Sequence, residues 1–365
     1  MRVPTLSGLL PSEQSWLVSL PFPPSAPAAM DDHRVYVPLQ GEHFISIARD
    51  TGETLWTADI ESAWAPLVHD GVVYIAASDE LHALDAASGE RIWRVPMGGG
   101  PMAALAMTQD TIVGLVAPDE VWAFRRTDGQ RLWAKPLGGT VGPASMAIDG
   151  GRIFVAIGSR LVRVELADGA VKWDRTLPGM LRAPVANDDR VFVGSTANAL
   201  HAVSQNSGTI TWSYPTGADV IGAAVDGNMV YVASLDNVLR ALKQGSGGQV
   251  WKKPLNTRPT GPPRVIGGIV AVSGLIPPLA TFNAKTGAPI ASLETIGDLQ
   301  RAKFLTPVLF SSKLIPYTVS IVAITRDGRA AGHRPVAMLF RDPPLVPFSN
   351  VPGKALTKEQ FAPGR

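Results

Sequence analysis

Residues 65–97 read APLVHDGVVYIAASDELHALDAASGERIWRVPM and contain the pattern of four short β-strands. APLV and VVYIAA are rich in apolar and β-branched residues, and Asp70-Gly71 between them suits a two-residue hairpin turn because both positions tolerate positive φ. LHALDA is the third strand and ERIWRV the fourth, with a turn at Ser88-Gly89 between them. The segment therefore predicts one antiparallel sheet of four strands.

The same pattern recurs along the chain with a period near 40 residues. Seven tryptophans are separated by 37–40 residues, and from Trp56 onward each follows a turn glycine by four residues. A fixed period of this length is typical of an array of one supersecondary unit. The tryptophans are Trp16, Trp56, Trp93, Trp133, Trp173, Trp212 and Trp251, and the glycines are Gly52, Gly89, Gly129, Gly169, Gly208, Gly247, Gly287 and Gly328.

Eight such units can be counted, and they predict an all-β, eight-bladed β-propeller of four-stranded antiparallel blades. A sheet this small cannot bury both faces alone, so the blades must stack radially. Seven blades remain the alternative if residues 291–345 form only a partial blade. We expect an N-terminal extension over 1–14, the propeller over 15–340 and a Pro-rich tail over 341–365.

Closure of the ring can also be predicted. Trp16 lies in SWLVSL, which has the pattern of a fourth strand without three strands before it. The last repeat carries IVAITRDG as its third strand and RAAGHR as a poor fourth strand. The N-terminal strand is therefore expected to complete the last blade and remove its open edge.

The repeated tryptophans have a structural explanation. An indole can bury about 200 Å², worth about 5 kcal/mol as an upper bound. On an outer strand, at the same height in each blade, it can pack against the turn glycine of a neighbour, where a side chain would clash. These residues are expected to hold the ring together.

Composition excludes several functions. The net charge is +2 and no basic run occurs, which argues against nucleic acid as a partner. There is no cysteine, hence no disulfide, thiolate site or lipid-modified cysteine, and no signal peptide or membrane span is visible. The six histidines show no metal-ligand spacing, and His82 and His201 share one repeat position, which favours packing.

The motif A-[LVF]-x-x-x-[TSD]-G-x-x-x-W, at this period, resembles the repeat of pyrroloquinoline-quinone (PQQ) propellers over residues 16 to about 332. The resemblance implies either a quinoprotein dehydrogenase, with PQQ and calcium in the axial channel, or a non-catalytic propeller of the BamB family. Missing cysteines, short connections and the lack of a marked Asp/Glu/Asn cluster favour the BamB-like branch. We therefore expect no catalytic residues, no cofactor and no metal. PQQ with calcium is the alternative.

In the BamB family, partner contact is carried by loops that join one blade to the next. Leu181-Arg182 in TLPGMLRAPV resembles the family's Leu-Arg contact motif, and Asp219 in the next such loop stands where the family carries acids. Trp64 lies outside the tryptophan series and is a further rim candidate, with packing over the axial channel as its alternative. The predicted partner-binding residues are therefore Leu181, Arg182, Asp219 and Trp64.

The resemblance implies a monomeric scaffold that binds a protein partner, with an outer-membrane assembly machine as the candidate. It also implies a periplasmic or extracytoplasmic location, while the lack of a signal peptide in these residues leaves the cytoplasm open. Two alternatives remain at this point. One is a small PQQ-dependent oxidoreductase, and the other is an extracytoplasmic propeller that senses a small ligand in its channel.

Overall fold

All regular structure in the described residues is antiparallel β-sheet, divided into eight separate sheets. The computed structural model describes residues 12–138, 144–266, 268–274, 280–290, 309–310, 321–324 and 328–335. Seven sheets have four strands and one has three. These are the blades of an eight-bladed propeller, as the repeat predicts. The predicted tail over 341–365 lies outside the described residues.

Within each blade the strands follow one another in sequence from the propeller axis outward, and blade 8 alone takes its outer strand from the N-terminus. The bounds are: blade 1, Ala29–Met30, Arg34–Leu39, His43–Ala48, Thr54–Ala58; blade 2, Leu67–His69, Val72–Ala77, Glu80–Asp85, Arg91–Pro96; blade 3, Ala106–Met107, Thr111–Val116, Glu120–Arg125, Arg131–Pro136; blade 4, Ala144–Asp149, Arg152–Ile157, Arg160–Glu165, Val171–Thr176. They continue as blade 5, Val185–Asn187, Arg190–Ser195, Ala199–Ser204, Ile210–Pro215; blade 6, Val220–Asp226, Met229–Ser234, Val238–Lys243, Gln249–Pro254; blade 7, Arg264–Ile266, Ile269–Val272, Ala280–Asn283; blade 8, Leu309–Phe310, Ile321–Ile324, Arg329–Pro335, Ser12–Ser19.

Hairpin turns follow the sequence chemistry. Asp70 and Gly71 both have positive φ, 47° and 74°, and they connect the paired residues His69 and Val72. This is the two-residue turn that the Asp-Gly dipeptide predicts. The second and third strands of blades 1 to 7 are mostly buried, as in VVYIAA, where five of six residues are buried. The hydrophobic core therefore lies between neighbouring blades.

Each repeated tryptophan packs against the next blade. A Cβ built on the turn glycine of that blade would lie only 2.5–2.7 Å from the indole ring, and these glycines have φ of 66° to 77°. Six indoles also donate a hydrogen bond of 2.8–3.0 Å to the carbonyl oxygen three residues before that glycine. The glycine is thus required for both its backbone conformation and its lack of a side chain. The pairs are Trp16–Gly52, Trp56–Gly89, Trp93–Gly129, Trp133–Gly169, Trp173–Gly208, Trp212–Gly247 and Trp251–Gly287.

The N-terminal strand closes the ring, but the order of strands in the last blade differs from the sequence interpretation. Ser12–Ser19 pairs with Arg329–Pro335, which in turn pairs with Ile321–Ile324. RAAGHR is therefore the third strand of blade 8 rather than a poor fourth, and IVAI is the second. The fourth place is already filled by the N-terminal strand, so no turn to a further strand is needed.

This correction also removes Gly328 from the tryptophan–glycine series. Gly328 lies before the third strand of blade 8, where its carbonyl oxygen accepts a 2.6 Å hydrogen bond from the Leu20 amide. A Cβ there would meet the backbone of Phe22 rather than an indole. Trp16 instead packs against Gly332, within the third strand, as well as against Gly52.

Candidate interaction surface

Strand order divides the turns between two rims of the propeller. We name the rim that carries the second-to-third-strand turns and the connections between blades the connection rim. The opposite rim, which carries the turn glycines, is the glycine rim. The predicted contact residues Leu181, Arg182, Asp219 and Trp64 all lie in connections between blades and hence on the connection rim.

The backbone of the connection rim is fixed by repeated hydrogen bonds. The first residue after a fourth strand donates its amide to the second-to-third-strand turn of the same blade, over 2.7–2.9 Å in blades 2 to 6. Further along, the carbonyl oxygens of Met180 and Asp219 accept bonds from the amides of Thr196 and Leu235. A surface held in this way loses little conformational freedom when a partner binds.

Leu181 does not belong to the exposed surface. Its side chain is only 6% exposed and packs in the core between blades 4 and 5, and its backbone bridges to Ser195. A side chain buried between blades cannot touch a partner without opening the core. Leu181 is therefore removed from the contact set, and its role is to anchor the connection.

Arg182 and Asp219 come together although they lie in different connections. A guanidinium nitrogen of Arg182 is 3.7 Å from a carboxylate oxygen of Asp219, and both side chains are about one-third exposed. An ion pair of this exposure contributes only about 0–1 kcal/mol to stability. Its charges remain exposed to solvent, so the pair contributes little to the stability of the fold.

Met180, which sequence reasoning missed, completes the surface. It is 41% exposed and directly precedes the buried Leu181, just as Asp219 directly precedes the buried Val220. Exposed methionine is an adaptable apolar contact because its side chain is unbranched and polarizable. We name the surface formed by Met180, Arg182 and Asp219 the Met180 patch. Successive side chains of an extended segment point in opposite directions, so a buried Leu181 implies an exposed Met180, and this is the sequence signal that could have revealed Met180.

Trp64 has a structural partner. Its indole nitrogen donates a 3.1 Å hydrogen bond to the carbonyl oxygen of Pro101, in the connection between blades 2 and 3, and its ring packs against the core between those blades. The side chain is partly buried. Trp64 thus ties two connections together, and any contact with a partner is limited to its exposed edge.

The first strand of each blade lies nearest the axis, where a cofactor such as PQQ would have to bind. Equivalent positions on these strands can be compared by counting residue pairs from the turn between the first and second strands. At the third pair, blade 7 carries Arg264, whereas blades 4, 5 and 6 carry Ala147, Val185 and Ala224. Arg264 is exposed, while Val265 beside it packs between blades.

Across the residues that the structure describes, no three His, Asp or Glu side chains are grouped so that they could hold a metal ion. A hard cation would need several such oxygen ligands.

His82 and His201 occupy the same place in their blades, the third residue of the third strand, and both are buried. His201 Nδ1 lies 2.8 Å from Ser213 Oγ, and Nε2 has no hydrogen-bond partner. Burial lowers the pKa of His201 below its ordinary value of 6.5, because no group compensates a buried imidazolium. The histidines are core residues.

The His201 pKa predicts a loss of stability in acid. The unfolded chain binds a proton below pH 6.5 and the folded chain resists it, so stability is complete above that pH and falls as the pH drops towards the folded-state pKa. At pH 5.5, one unit below the ordinary value, the loss from one such group is at most about 1.4 kcal/mol. His201→Gln should reduce the difference in free energy of unfolding between pH 7.5 and 5.5 within that bound. His33→Gln, at an exposed turn, is the control, and an equal effect of the two substitutions would contradict the account.

Sequence comparison identifies the family. The sequence profile of the PQQ_2 family, described as outer membrane protein assembly factor BamB, matches residues 40–183 and 178–301. The chain belongs to this family. Among curated proteins, the serine/threonine-protein kinase AfsK of Streptomyces griseus is 25% identical over 180 residues, which are 46% of this chain and 18% of the kinase. The chain thus spans less than a fifth of that relative.

Solved structures with the same fold confirm the PQQ-like propeller and its likeness to BamB. BamB from Moraxella catarrhalis has a TM-score of 0.69 at 16% identity, covering 88% of this chain and 99% of that one. Sqt1 of Saccharomyces cerevisiae has a TM-score of 0.71 at 11% identity, covering 88% and 98%. The computationally designed protein Ika8 has a TM-score of 0.73 at 13% identity, covering 88% of this chain and 99% of that one. In the described part of the chain, no helix has the length and apolar character to cross a membrane.

Proposed function

We propose that this BamB-family protein is a non-catalytic, monomeric propeller scaffold that binds a protein partner through the Met180 patch. The partner is a component of an outer-membrane protein assembly machine, and the location is periplasmic. Neither a cofactor nor nucleic acid takes part. Support comes from one observation above all. The two residues picked from the family's contact loops, Arg182 and Asp219, meet as an accessible ion pair beside exposed Met180 on a rigid rim.

The patch has the chemistry of a protein contact. An apolar side chain lies beside one basic and one acidic group, and arginine and methionine are both enriched at interfaces. The following connection adds exposed Arg258 directly before the buried Pro259. Three successive connections therefore present Met180, Asp219 and Arg258, an apolar, an acidic and a basic side chain in turn. A surface that combines these three kinds of side chain can discriminate partners by charge as well as by shape.

A ligand-sensing propeller is the second candidate, and two observations favour it. AfsK is a serine/threonine-protein kinase, and the segment that resembles this chain covers 18% of it, so a similar sequence occurs as a small part of a protein kinase. Arg264 supplies a positive charge on the innermost strand, where an anionic small molecule could be held. PQQ carries three carboxylates, so it serves as a probe for this candidate as well as for the oxidoreductase.

Titration with PQQ and calcium, followed by tryptophan fluorescence, separates the three functions. We expect no saturable binding up to about 50 μM, equivalent to a binding free energy weaker than about 6 kcal/mol. Saturable binding that Arg264→Ala abolishes, without dye reduction by alcohols or sugars, would replace the scaffold with the sensor. Binding with dye reduction would establish the oxidoreductase. Under the proposed function, the soluble domains of the assembly machine bind saturably in the same buffer without PQQ.

A further inference from the structure

Arg240 is a buried arginine at a place where other blades carry different residues. It is the third residue of the third strand of blade 6 and is 8% exposed. The same place holds Ile45, His82, Trp122, Val162 and His201 in blades 1 to 5. A buried guanidinium is costly unless it is paired and hydrogen-bonded. Its partners therefore show what it holds in place.

Those partners form a closed cluster around Asp236. Arg240 donates to both carboxylate oxygens of Asp236 and, over 2.9 Å, to the hydroxyl of Ser234. The Ser234 hydroxyl donates in turn to Asp236. Burial opposes ionisation of Asp236, but hydrogen bonds from Arg240, Ser234 and the Gly217 amide outweigh it and lower the pKa to about 2. Both members of the pair are charged at neutral pH.

The cluster also reaches the connection between blades 5 and 6. Asp236 Oδ2 accepts a 2.9 Å hydrogen bond from the Gly217 amide, and a Cβ on Gly217 would lie 2.9 Å from the same oxygen. Two residues later, the Asp219 carbonyl oxygen accepts a 2.8 Å bond from the Leu235 amide. The connection that carries Asp219 is thus fixed at two points to the turn that carries Asp236.

Blade 5 supplies an internal comparison. Its second-to-third-strand turn has the same length, but Ser195, Ala197 and His201 stand where blade 6 has Ser234, Asp236 and Arg240. The charged cluster is therefore not a requirement of the blade architecture. It is found beside the connection that presents the acidic member of the Met180 patch.

We propose that Arg240 and Asp236 are positioning residues, which hold the 215–219 connection so that Asp219 faces Arg182 in the geometry that the partner recognises. The inference rests on the proposed function for its binding consequence. Its structural part, that the pair fixes the connection, stands on the contacts of the free protein. Neither residue needs to touch the partner.

Amide hydrogen exchange in the free protein tests the structural part. Asp236→Asn, which removes the charged acceptor of the Gly217 amide, and Arg240→Met, which frees the Asp236 carboxylate from the guanidinium that holds it, should each speed exchange at Gly217 and across 216–219 by about tenfold or more. Ser234→Ala, which keeps both charges, should give a smaller increase of about threefold and serves as the gentle variant if the others unfold. Asp189→Asn, which removes an ion pair on the glycine rim, is the control. Unchanged exchange in the folded variants would overturn the proposal.

Binding tests the consequence. Asp236→Asn should weaken binding to the soluble domains of the outer-membrane assembly machine by about tenfold in the native background and have little effect once Asp219→Asn is present, since it acts through Asp219. Arg240→Lys, which keeps the charge, should recover part of the loss seen in Arg240→Met. If the losses of affinity from Asp236→Asn and Asp219→Asn were additive, Asp236 would not act through Asp219, and the proposed positioning role would be contradicted. If Asp219→Asn alone leaves binding unchanged, the proposed function fails, and the exchange result still decides whether the pair fixes the connection.

Discussion

Replacing Gly89 by alanine is expected to lower the free energy of unfolding by about 3 kcal/mol or more. Gly89 has φ of 77°, and an added Cβ would lie 2.6 Å from the ring of Trp56. The left-handed backbone costs an alanine about 1–2 kcal/mol, and forcing a buried indole aside costs about 1–3 kcal/mol more. Urea denaturation at neutral pH measures the difference.

Gly71→Ala is the matched control for this substitution. Gly71 lies in the same blade with φ of 74°, yet nothing lies within 4 Å of its added Cβ. It should lose only the backbone contribution, about 1–2 kcal/mol. In a Trp56→Ala background, itself destabilised by about 3–5 kcal/mol, Gly89→Ala should cost no more than Gly71→Ala. Equal effects of the two glycine substitutions in the native background would show that the indole contact does not hold the blades together.

Reversing the charge of Arg182 to glutamate is expected to weaken partner binding by about 10- to 100-fold, which corresponds to about 1.4–2.8 kcal/mol. In the native protein the Arg182 guanidinium lies 3.7 Å from the Asp219 carboxylate. The change removes this cation from the Met180 patch and places a second carboxylate near Asp219. Because the native ion pair is partly exposed, the free energy of unfolding should change by less than about 1 kcal/mol. Calorimetric titration with the partner, alongside urea denaturation, separates the two quantities.

Lys172→Glu makes the same charge change on an exposed site of the outer strand of blade 4. It should leave affinity unchanged apart from a small dependence on ionic strength. If Lys172→Glu weakened binding as much as Arg182→Glu, only the net charge of the protein would matter. The specific role of the Met180 patch would then be rejected.

The sequence was sufficient for the architecture because the determinants of a blade are local and repeated. A turn glycine four residues before a tryptophan specifies both a positive φ and the docking of the indole on the next blade, as Gly208 and Trp173 show. Ring closure followed from the same logic, since Trp16 marks a fourth strand without three preceding strands. The repeat pattern gave a wrong prediction at Gly328. Its local sequence resembles that of the other turn glycines, but it lies between the second and third strands of blade 8 and hence on the connection rim.

The candidate site was only partly predictable, for two physical reasons. Leu181 and Met180 are neighbours that point in opposite directions, and a one-residue difference in phase decides which one is buried. The approach of Arg182 to Asp219 depends on how two separate connections lie on the rim. The Asp236–Arg240 pair could not be predicted for a similar reason, because its proposed role depends on the hydrogen bond that the Gly217 amide, in the connection between blades 5 and 6, donates to Asp236. Local patterns carry no record of such contacts.

Under the proposed function, the protein binds its partner with the connection rim near Met180, and site-specific photo-crosslinking shows which rim lies at the contact. A photoreactive residue is placed at Met180 on the connection rim or at Asn206, exposed in the glycine-rim turn of blade 5. We predict a cross-link from Met180 to one component of the outer-membrane assembly machine, lost in the Arg182→Glu background, and none from Asn206. Cross-links from Asn206 alone, or equally from both positions, would contradict the account.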